Sequence, residues 1–212
     1  MGICYYCLKL TWRIHMSKSL KGTETLQNLM KAFAGESQAR NRYDYYAGVA
    51  RKEGYCQIES IFMETSVNER MHAKRFFQYA CDGVEDMPLM VNINADYPVA
   101  FSNTLDNLKF AAAGEHEEWE LLYPNFAKIA KEEGFPHVEA LFKKIAEIEA
   151  HHEARYLKLA ENIMNGLVFK KGAVVKWKCD VCGHVHEGLE APGVCPTCAH
   201  KQEHFELLVA NY

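Results

Sequence analysis

Two short runs in the sequence combine a carboxylate with an imidazole at the same spacing. The first is Glu69-Arg-Met-His72 and the second is Glu149-Ala-His-His152. On a helix, side chains three positions apart lie on one face, so each pair can hold one metal ion. A single Glu-x-x-His run arises often by chance on a solvated surface. Two runs, each following a helix with an inward glutamate, match the four-helix carboxylate pattern of a di-iron or di-manganese centre.

Long helices are needed to position these runs. Thr23 can cap a first helix whose apolar residues keep three-and-four spacing as far as Lys52, and Gly54 suits its C-terminal end. A second helical pattern starts at Tyr55 and ends before Gly83. The very short turn between the two patterns predicts a helical hairpin.

The second half of the helical region repeats this arrangement after a long connection. Residues 84–101 contain two prolines and no clear periodicity, which predicts a crossover without regular structure. Ser102 or Asn103 starts a third helix that is expected to stop at Gly134, and a fourth covers 135–166. The pattern therefore predicts a mainly α fold, a four-helix bundle with one long crossover.

The two hairpins resemble each other in sequence. Glu115 follows Glu36 by 79 residues, and His152 follows His72 by 80 residues. This near-constant shift pairs every candidate ligand with a counterpart, which chance helical patterns do not produce. A duplicated hairpin that closes into a pseudo-twofold bundle would turn both Glu-x-x-His runs towards one centre.

Four carboxylates and two imidazoles are the candidate ligands of this centre. Hard oxygen with borderline nitrogen donors suits iron or manganese. Any one of these acids alone would be interpreted as a solvated surface residue. Small and apolar neighbours indicate burial instead, and burying a carboxylate without a partner is costly. Metal ligation removes that cost. The set is Glu36, Glu69, His72, Glu115, Glu149 and His152.

Three further residues can reach the same centre, each with a plainer alternative. Glu118 lies one turn after Glu115, whereas the corresponding position of the first hairpin is Ala39, so Glu118 is either a seventh ligand or an exposed acid. Tyr43 and Tyr123 can donate hydrogen bonds to ligands, or pack as core aromatics, and the two roles are compatible.

The C-terminal region carries two Cys-x-x-Cys pairs, Cys179/Cys182 and Cys195/Cys198. Four thiolates at this spacing are a strong signal for a tetrahedral metal site, but the spacing does not separate structural zinc from redox iron. The expected apolar coat of this site is Trp177, Val185, Phe205 and Leu207. The histidines expected to be exposed are His184, His186, His200 and His204.

Composition narrows the functional classes. The chain has 212 residues, 49% hydrophobic and 25% charged, which suits one large domain with a small one. A net charge of −4 without a basic run argues against nucleic acid as partner. No apolar run reaches the roughly 18 residues of a membrane span.

The four remaining cysteines, Cys4, Cys7, Cys56 and Cys81, are expected as free thiols in a reducing cytoplasm. The first residues make a poor signal peptide. Met16 reads as a natural start, so residues 1–15 are interpreted as an extension without function.

The residues together resemble the rubrerythrins from about Met16 to Tyr212. The runs that carry the resemblance are SLKGT, AFAGESQARNRY, NERMHAKR, AAGEHEEWELLYP, IEAHHEARY, KCDVCGHVHEG and CPTCAHKQEHFELL. The resemblance implies a ferritin-like di-iron bundle over 16–166 fused to a small rubredoxin-like β domain over 167–212. It also implies two irons in the bundle and one iron bound by the four cysteines.

The resemblance further implies a role for each ligand of the bundle. Glu69 and Glu149 would bridge the two irons. Glu36 would bind one iron, and Glu115 with His152 would bind the other.

One iron is implied to change partners with redox state. The iron at Glu36 would be bound by Glu118 when oxidised and by His72 when reduced. Together with the bridging ligands, these residues would form the catalytic centre.

The activity implied by the resemblance is reduction of hydrogen peroxide to water in oxidative stress defence. Electrons would come from an external NAD(P)H-linked donor, a rubredoxin or a flavoprotein reductase, through the cysteine-bound iron. A homodimer or larger homo-oligomer is expected. Two alternatives remain: a ferritin-like ferroxidase or iron-binding protein, and a non-catalytic protein with zinc in both sites.

Overall fold

The computed structural model describes residues 18–84 and 87–210, so the expectations for residues 1–15 lie outside the described residues. Five helices and three strands follow one another in that part: α1 (Glu24–Lys52), α2 (Cys56–Asp82), α3 (Thr104–Glu117), α4 (Tyr123–Glu132), α5 (Pro136–Met164), β1 (Lys170–Cys179), β2 (Val185–Glu190) and β3 (Phe205–Leu207). None of the described helices is both long and apolar enough to cross a membrane.

The helical hairpins end and begin where the sequence predicts. The Thr23 hydroxyl caps α1 by accepting a hydrogen bond of 3.1 Å from the backbone N–H of Leu26. Gly54 and Gly134 have φ of +81° and +83° in the turns of the two hairpins, a conformation that only glycine adopts readily. The connection from 87 to 103 contains no helix or strand. The predicted bundle with one long crossover is confirmed.

The third predicted helix is not uniform, which corrects the expectation of one continuous α-helix. Residues Glu118–Leu122 form a π-helical turn between α3 and α4. The extra residue of this turn is the one that changes the repeat from 79 to 80 residues between Glu115 and Tyr123. The π turn therefore absorbs a single-residue insertion without ending the helical run.

Each hairpin completes the first turn of the other. The Glu133 carboxylate, after α4, accepts hydrogen bonds from the backbone N–H groups of Glu24 and Thr25 at 3.1 and 2.8 Å, and from the Thr25 hydroxyl at 2.6 Å. Glu53, after α1, accepts one hydrogen bond of 3.0 Å from the N–H of Thr104. These reciprocal caps satisfy N–H groups that a helix start leaves without an intrahelical partner.

The bundle core consists of two aromatic clusters with a polar layer between them. One cluster packs Phe76, Tyr123 and Phe142 among aliphatic side chains, and its ring centroids lie 5.0 to 5.8 Å apart. The other cluster includes Tyr43 and Tyr156, whose ring centroids are 5.6 Å apart in an edge-on arrangement. The candidate ligands lie between these two apolar clusters.

The C-terminal domain is a three-stranded antiparallel sheet in the order β2-β1-β3. Trp177 and Phe205 are fully buried in its small core, as predicted, and the Trp177 indole donates a hydrogen bond of 3.1 Å to the carbonyl of Gly188. Val185 was expected in the same core but is 45% exposed, because the short strand β2 is covered on one side only.

The two domains contact each other directly. The ring of Tyr55, at the start of α2, stacks on Phe169, with centroids 6.4 Å apart and planes 7° from parallel. The short helical turn Gln202–His204 and strand β3 also contact α2.

Candidate metal centre

The six candidate ligands of the bundle lie together in its interior. Helix α1 supplies one acid, α3 supplies one, and α2 and α5 each supply a Glu-x-x-His pair. All six are at most 8% exposed, namely Glu36, Glu69, His72, Glu115, Glu149 and His152. They form two groups, and the ligand atoms of each group lie within 4.8 Å of one another.

The first group surrounds Nδ1 of His72. This nitrogen lies 2.9 Å from Oε2 of Glu69, 2.9 Å from Oε1 of Glu149 and 3.8 Å from Oε2 of Glu36. Three helices, α1, α2 and α5, therefore supply one compact set of three oxygens and a nitrogen.

The second group surrounds Nδ1 of His152. This nitrogen lies 2.8 Å from Oε2 of Glu149, 3.2 Å from Oε1 of Glu69 and 3.8 Å from Oε2 of Glu115. Its distances closely repeat those of the first group, as the internal repeat predicts.

Two carboxylates belong to both groups. Glu69 turns Oε2 to His72 and Oε1 to His152, and Glu149 turns Oε1 to His72 and Oε2 to His152. A carboxylate that presents one oxygen to each of two centres has the geometry of a bridging ligand. Two ions bound to these groups would share the carboxylates of Glu69 and Glu149.

The donor atoms fit metal ions better than they fit one another. Buried oxygens of Glu36, Glu69, Glu115 and Glu149, and Nδ1 of His152, lack a hydrogen-bond partner within the described residues. Several lie near an imidazole nitrogen without the direction of a hydrogen bond. Unsatisfied buried carboxylates are costly, whereas divalent cations at the centre of each group would satisfy them.

The pKa values of the ligands also indicate that this cluster of carboxylates favours bound positive charge. Burial, followed by the charge of Glu69, raises the pKa of Glu36 to about 8. Burial lowers the pKa of His152, but the surrounding carboxylates of Glu115, Glu149 and Glu69 outweigh it and raise the pKa to about 12. The pKa of His72 is raised in the same way. Metal ions bound at this site would displace protons from these groups.

Two tyrosines cross between the hairpins to reach the acids. The Tyr43 hydroxyl, on α1, donates a hydrogen bond of 2.5 Å to Oε1 of Glu115, and the Tyr123 hydroxyl, on α4, donates to Oε1 of Glu36. Burial and neighbouring carboxylates raise the pKa of both phenols, so both stay protonated and keep donating. The two roles considered for these tyrosines are thus combined, because both also pack in the aromatic clusters.

Glu118 lies outside both groups, at the first position of the π turn. Its Oε1 rests against the bare backbone of Gly35, where an added Cβ would come within 3.7 Å. Burial, followed by the charge of Glu36, raises its pKa well above the ordinary value of 4.5. Glu118 also lines a cavity of about 580 Å³ that includes Tyr97 and Tyr123. Glu118 is therefore not an ordinary exposed acid, and in this conformation its carboxylate does not belong to either ligand group.

The π turn is the feature that sequence reasoning missed. A change of repeat length between two aligned residues, here Glu115 and Tyr123, is a signal of an inserted residue inside a helix. Such insertions take π geometry and are frequent at functional sites.

The four cysteines of the C-terminal domain converge on a second site. Their sulfurs lie within 4.8 Å of one another, with Cys179 and Cys198 3.8 Å apart and Cys182 and Cys195 3.6 Å apart. A tetrahedron with metal–sulfur bonds of roughly 2.3 Å has edges of roughly 3.8 Å, so the sulfurs are already placed for an ion.

Backbone geometry holds both knuckles of this site. The N–H groups of Gly183 and Ala199 each donate a hydrogen bond of 2.9 Å, to the carbonyls of Cys179 and Cys195. Ala199 adopts φ of +59°, which is unusual for a residue with a side chain.

The nearby histidines were predicted to be exposed, and only His200 fully agrees with this prediction. His204 was expected to be exposed, but it is 9% exposed, because the C-terminal domain packs this residue against α2. His200 is exposed, and His184 and His186 are half-buried.

Comparison with known families covers both domains. The family model described as rubrerythrin matches residues 27–160, and the model described as the rubredoxin-like domain of rubrerythrin matches residues 177–206. The chain belongs to the rubrerythrin family. Rubrerythrin-1 of Clostridium acetobutylicum is 55% identical over 195 residues, which cover 92% of this chain and 100% of that protein.

Solved structures agree on the fold. The structure of fully reduced, all-ferrous nigerythrin superposes with a TM-score of 0.58 at 28% identity, covering 90% of this chain and 92% of that one. A Desulfovibrio desulfuricans bacterioferritin superposes with a TM-score of 0.59 at 23% identity, covering 68% and 81%. The expected ferritin-like bundle with a small rubredoxin-like domain is confirmed.

The cofactors follow from the family and the clusters together. This rubrerythrin has a di-iron centre in the bundle and one iron in the four-cysteine domain.

Proposed function

We propose that this rubrerythrin is a peroxide reductase that converts hydrogen peroxide to water. The observation that carries the proposal is the pair of buried ligand groups sharing two carboxylates, on the same chain as a four-thiolate iron site. A carboxylate-rich site stabilises ferric iron, and a fused thiolate iron is a suitable electron inlet. Storage of iron needs no such inlet, which argues against a ferritin-like role.

The di-iron centre would supply the two electrons that cleave the O–O bond, and two protons complete the conversion of one peroxide to two waters. Glu69 and Glu149 would hold the two metal positions at a fixed separation, since each offers one oxygen to each group. Tyr43 and Tyr123 would keep their partner carboxylates in orientation by hydrogen bonding.

We assign the remaining ligands on the same basis. Glu36 would bind one iron, and Glu115 with His152 would bind the other. Glu118 and His72 would alternate at the iron of Glu36, with His72 turned into the cluster and Glu118 turned to the cavity as described above. The cavity is the route by which a molecule as small as peroxide would reach this side of the centre.

The four cysteines would hold the iron through which electrons from an external rubredoxin or flavoprotein reductase enter the protein. In this assignment the bundle domain is 16–166 and the electron-inlet domain is 167–212. We further propose a homodimer or larger homo-oligomer in the cytoplasm.

Stopped-flow mixing tests the substrate. Fully reduced protein is mixed in separate experiments with hydrogen peroxide and with oxygen, and oxidation of the irons is followed by absorbance. We expect faster oxidation by peroxide. Faster oxidation by oxygen, with iron retained as a mineral, would instead support the ferroxidase alternative.

A cysteine substitution tests whether electrons enter the protein through the four-cysteine site. Cys179→Ser should abolish donor-driven turnover, while a pre-reduced bundle still reacts once with peroxide. Turnover at the wild-type rate would contradict the assigned electron route. Absorption by thiolate-bound iron in the wild type checks that this site holds iron and not zinc.

A further inference from the structure

A further group of potential ligands lies where the two domains meet. Cys56 is the first residue of α2, Asp180 lies in the first cysteine knuckle, and His204 ends the short helical turn before β3. Their sulfur, carboxylate and imidazole donor atoms lie within 4.8 Å of one another. None of these residues belongs to the di-iron or the four-cysteine site.

The half of this group in the C-terminal domain is already ordered. The N–H of Asp180 donates a hydrogen bond of 2.9 Å to the carbonyl of His204, and Oδ1 of Asp180 lies 3.0 Å from Nδ1 of His204. Two ligands bound to one ion at roughly 2.0–2.1 Å in a tetrahedron are separated by roughly 3.3 Å, so this pair needs little movement.

The other half is a buried thiol beside Arg51. Burial raises the pKa of the Cys56 thiol, whereas the charge of Arg51 acts in the opposite direction, so a bound ion would displace the thiol proton. Cys56 is 2% exposed, and its sulfur accepts a hydrogen bond of 3.1 Å from Nη1 of Arg51. The N-terminus of α2 adds a favourable dipole. The thiolate is the form of cysteine that binds metal.

The combination of donors selects a class of ion. One thiolate, one imidazole and one carboxylate are the donor types of zinc sites with three protein ligands and an open fourth position. Cys56 and His204 are buried, whereas Asp180 is exposed, so an ion would arrive from the Asp180 side. A calcium or magnesium ion would not accept this set, because both prefer oxygen alone.

We propose that Cys56, Asp180 and His204 form a binding site for a borderline divalent cation of the zinc class that fastens the C-terminal domain to the bundle. Because Cys56 comes from α2 and the other two ligands come from the C-terminal domain, the ion would bridge the two domains. It would fix the cysteine-bound iron relative to the bundle. The proposal is independent of the substrate assigned above.

The same contacts also allow a simpler account, in which His204 and Asp180 form a hydrogen-bonded pair and Cys56 only packs beside them. That account predicts no selective uptake of zinc. The two accounts therefore differ in stoichiometry and in the atoms around the zinc.

The test uses the full chain with all three irons in place, two in the di-iron centre and one in the four-cysteine site. The protein is dialysed against buffered free Zn²⁺, and bound zinc and iron are measured by mass spectrometry. We expect about one zinc per chain with no loss of iron, and an X-ray absorption spectrum with one sulfur at roughly 2.3 Å and nitrogen or oxygen at roughly 2.0 Å.

Matched variants locate the zinc. Cys56→Ser and His204→Gln should each weaken zinc binding by at least about tenfold while the absorption of the four-cysteine iron is unchanged. Cys81→Ser removes the other described free thiol of α2, and it should bind zinc as the wild type does.

Three results would overturn the proposal. The first is no zinc retained by the wild type, and the second is equal retention by Cys56→Ser. The third is a zinc spectrum with four sulfurs and matching iron loss, which would mean exchange into the four-cysteine site.

Discussion

The first hairpin carries Glu36 and Tyr43 on an uninterrupted α-helix, whereas the second carries Glu115 and Tyr123 on either side of a π turn. Around the two metal positions the hairpins otherwise correspond closely, including their crossed tyrosine hydrogen bonds. The difference is a single inserted residue, and Glu118 stands at the start of the turn it creates.

Metal binding and the asymmetry of the site depend on different features of the two hairpins. A symmetric ligand set is sufficient to hold two ions, because each half supplies a terminal carboxylate and a histidine. The inserted turn gives one half an additional acid beside a cavity. The ligand exchange that we propose at one iron depends on this departure from the repeat and not on the repeat itself.

The largest effect is expected from a change in a shared ligand. Glu149→Gln should remove iron from both halves of the bundle at once, so that total iron falls from about three to about one per chain, with the cysteine-bound iron retained. Metal analysis with the visible spectrum measures this. Loss of one iron only would show that the two halves bind metal independently. Glu147→Gln, in an exposed pair with Lys144, is the control.

A smaller effect on the protein should follow removal of Glu118, the acid that has no counterpart in the first hairpin. Glu118→Ala is expected to slow peroxide turnover by about 10- to 100-fold, while iron content and fold are kept, because His72 can still complete the ligand group. Steady-state turnover measures this. Glu120→Ala changes an exposed acid of the same π turn and should turn over normally. Equal rates for both variants would remove Glu118 from the mechanism.

Substitution of Tyr43 and of Tyr123, which each donate a hydrogen bond to a carboxylate of the other hairpin, should affect turnover unequally. Tyr123→Phe is expected to slow turnover by about 3- to 10-fold, because Tyr123 lines the cavity and would no longer hold the Glu36 carboxylate, and Tyr43→Phe should have less effect. Comparison of turnover at equal iron content measures this. A larger effect of Tyr43→Phe would place the reactive side in the other half of the site.

The smallest effect concerns the reciprocal caps. Burial would raise the pKa of Glu133, but hydrogen bonds from Thr25 and the N–H of Glu24 outweigh it and lower the pKa. Its contribution to stability is therefore complete above the unfolded value near 4.5 and is lost as pH falls through the lower folded value. Glu133→Gln should lower the free energy of unfolding by about 1 kcal/mol at neutral pH.

Denaturant unfolding at matched pH measures this difference, which should shrink in acid. Glu53→Gln should cost less, because Glu53 accepts one hydrogen bond where Glu133 accepts three. Glu132→Gln, in an exposed position, is the control. An equal cost at acidic and neutral pH would mean that the charge of Glu133 is not involved.

Much of the bundle could be predicted from sequence because its signals are local. Helix periodicity, the Thr23 cap and the glycines of the two short turns each act within a few residues. The repeat then placed Glu36 opposite Glu115 without any knowledge of packing. The π turn could have been predicted as well, since the repeat length changes just after Glu115.

The remaining features depend on contacts between distant segments. The burial of His204 results from docking of the C-terminal domain on α2, and nothing in the residues around His204 encodes that contact. The exposure of Val185 depends on which face of a short strand is covered. The direction of Glu118 depends on the space left by Gly35 on another helix.

The reciprocal caps also bear on how a bundle of this kind can arise. Glu133 completes the start of α1, and Glu53 completes the start of α3, so neither hairpin contains every partner that its own first turn requires. Two separate copies of one hairpin, paired head to tail, would exchange the same caps in trans. The present chain has the arrangement of such a pair joined covalently, and its second half carries one residue that the first half lacks.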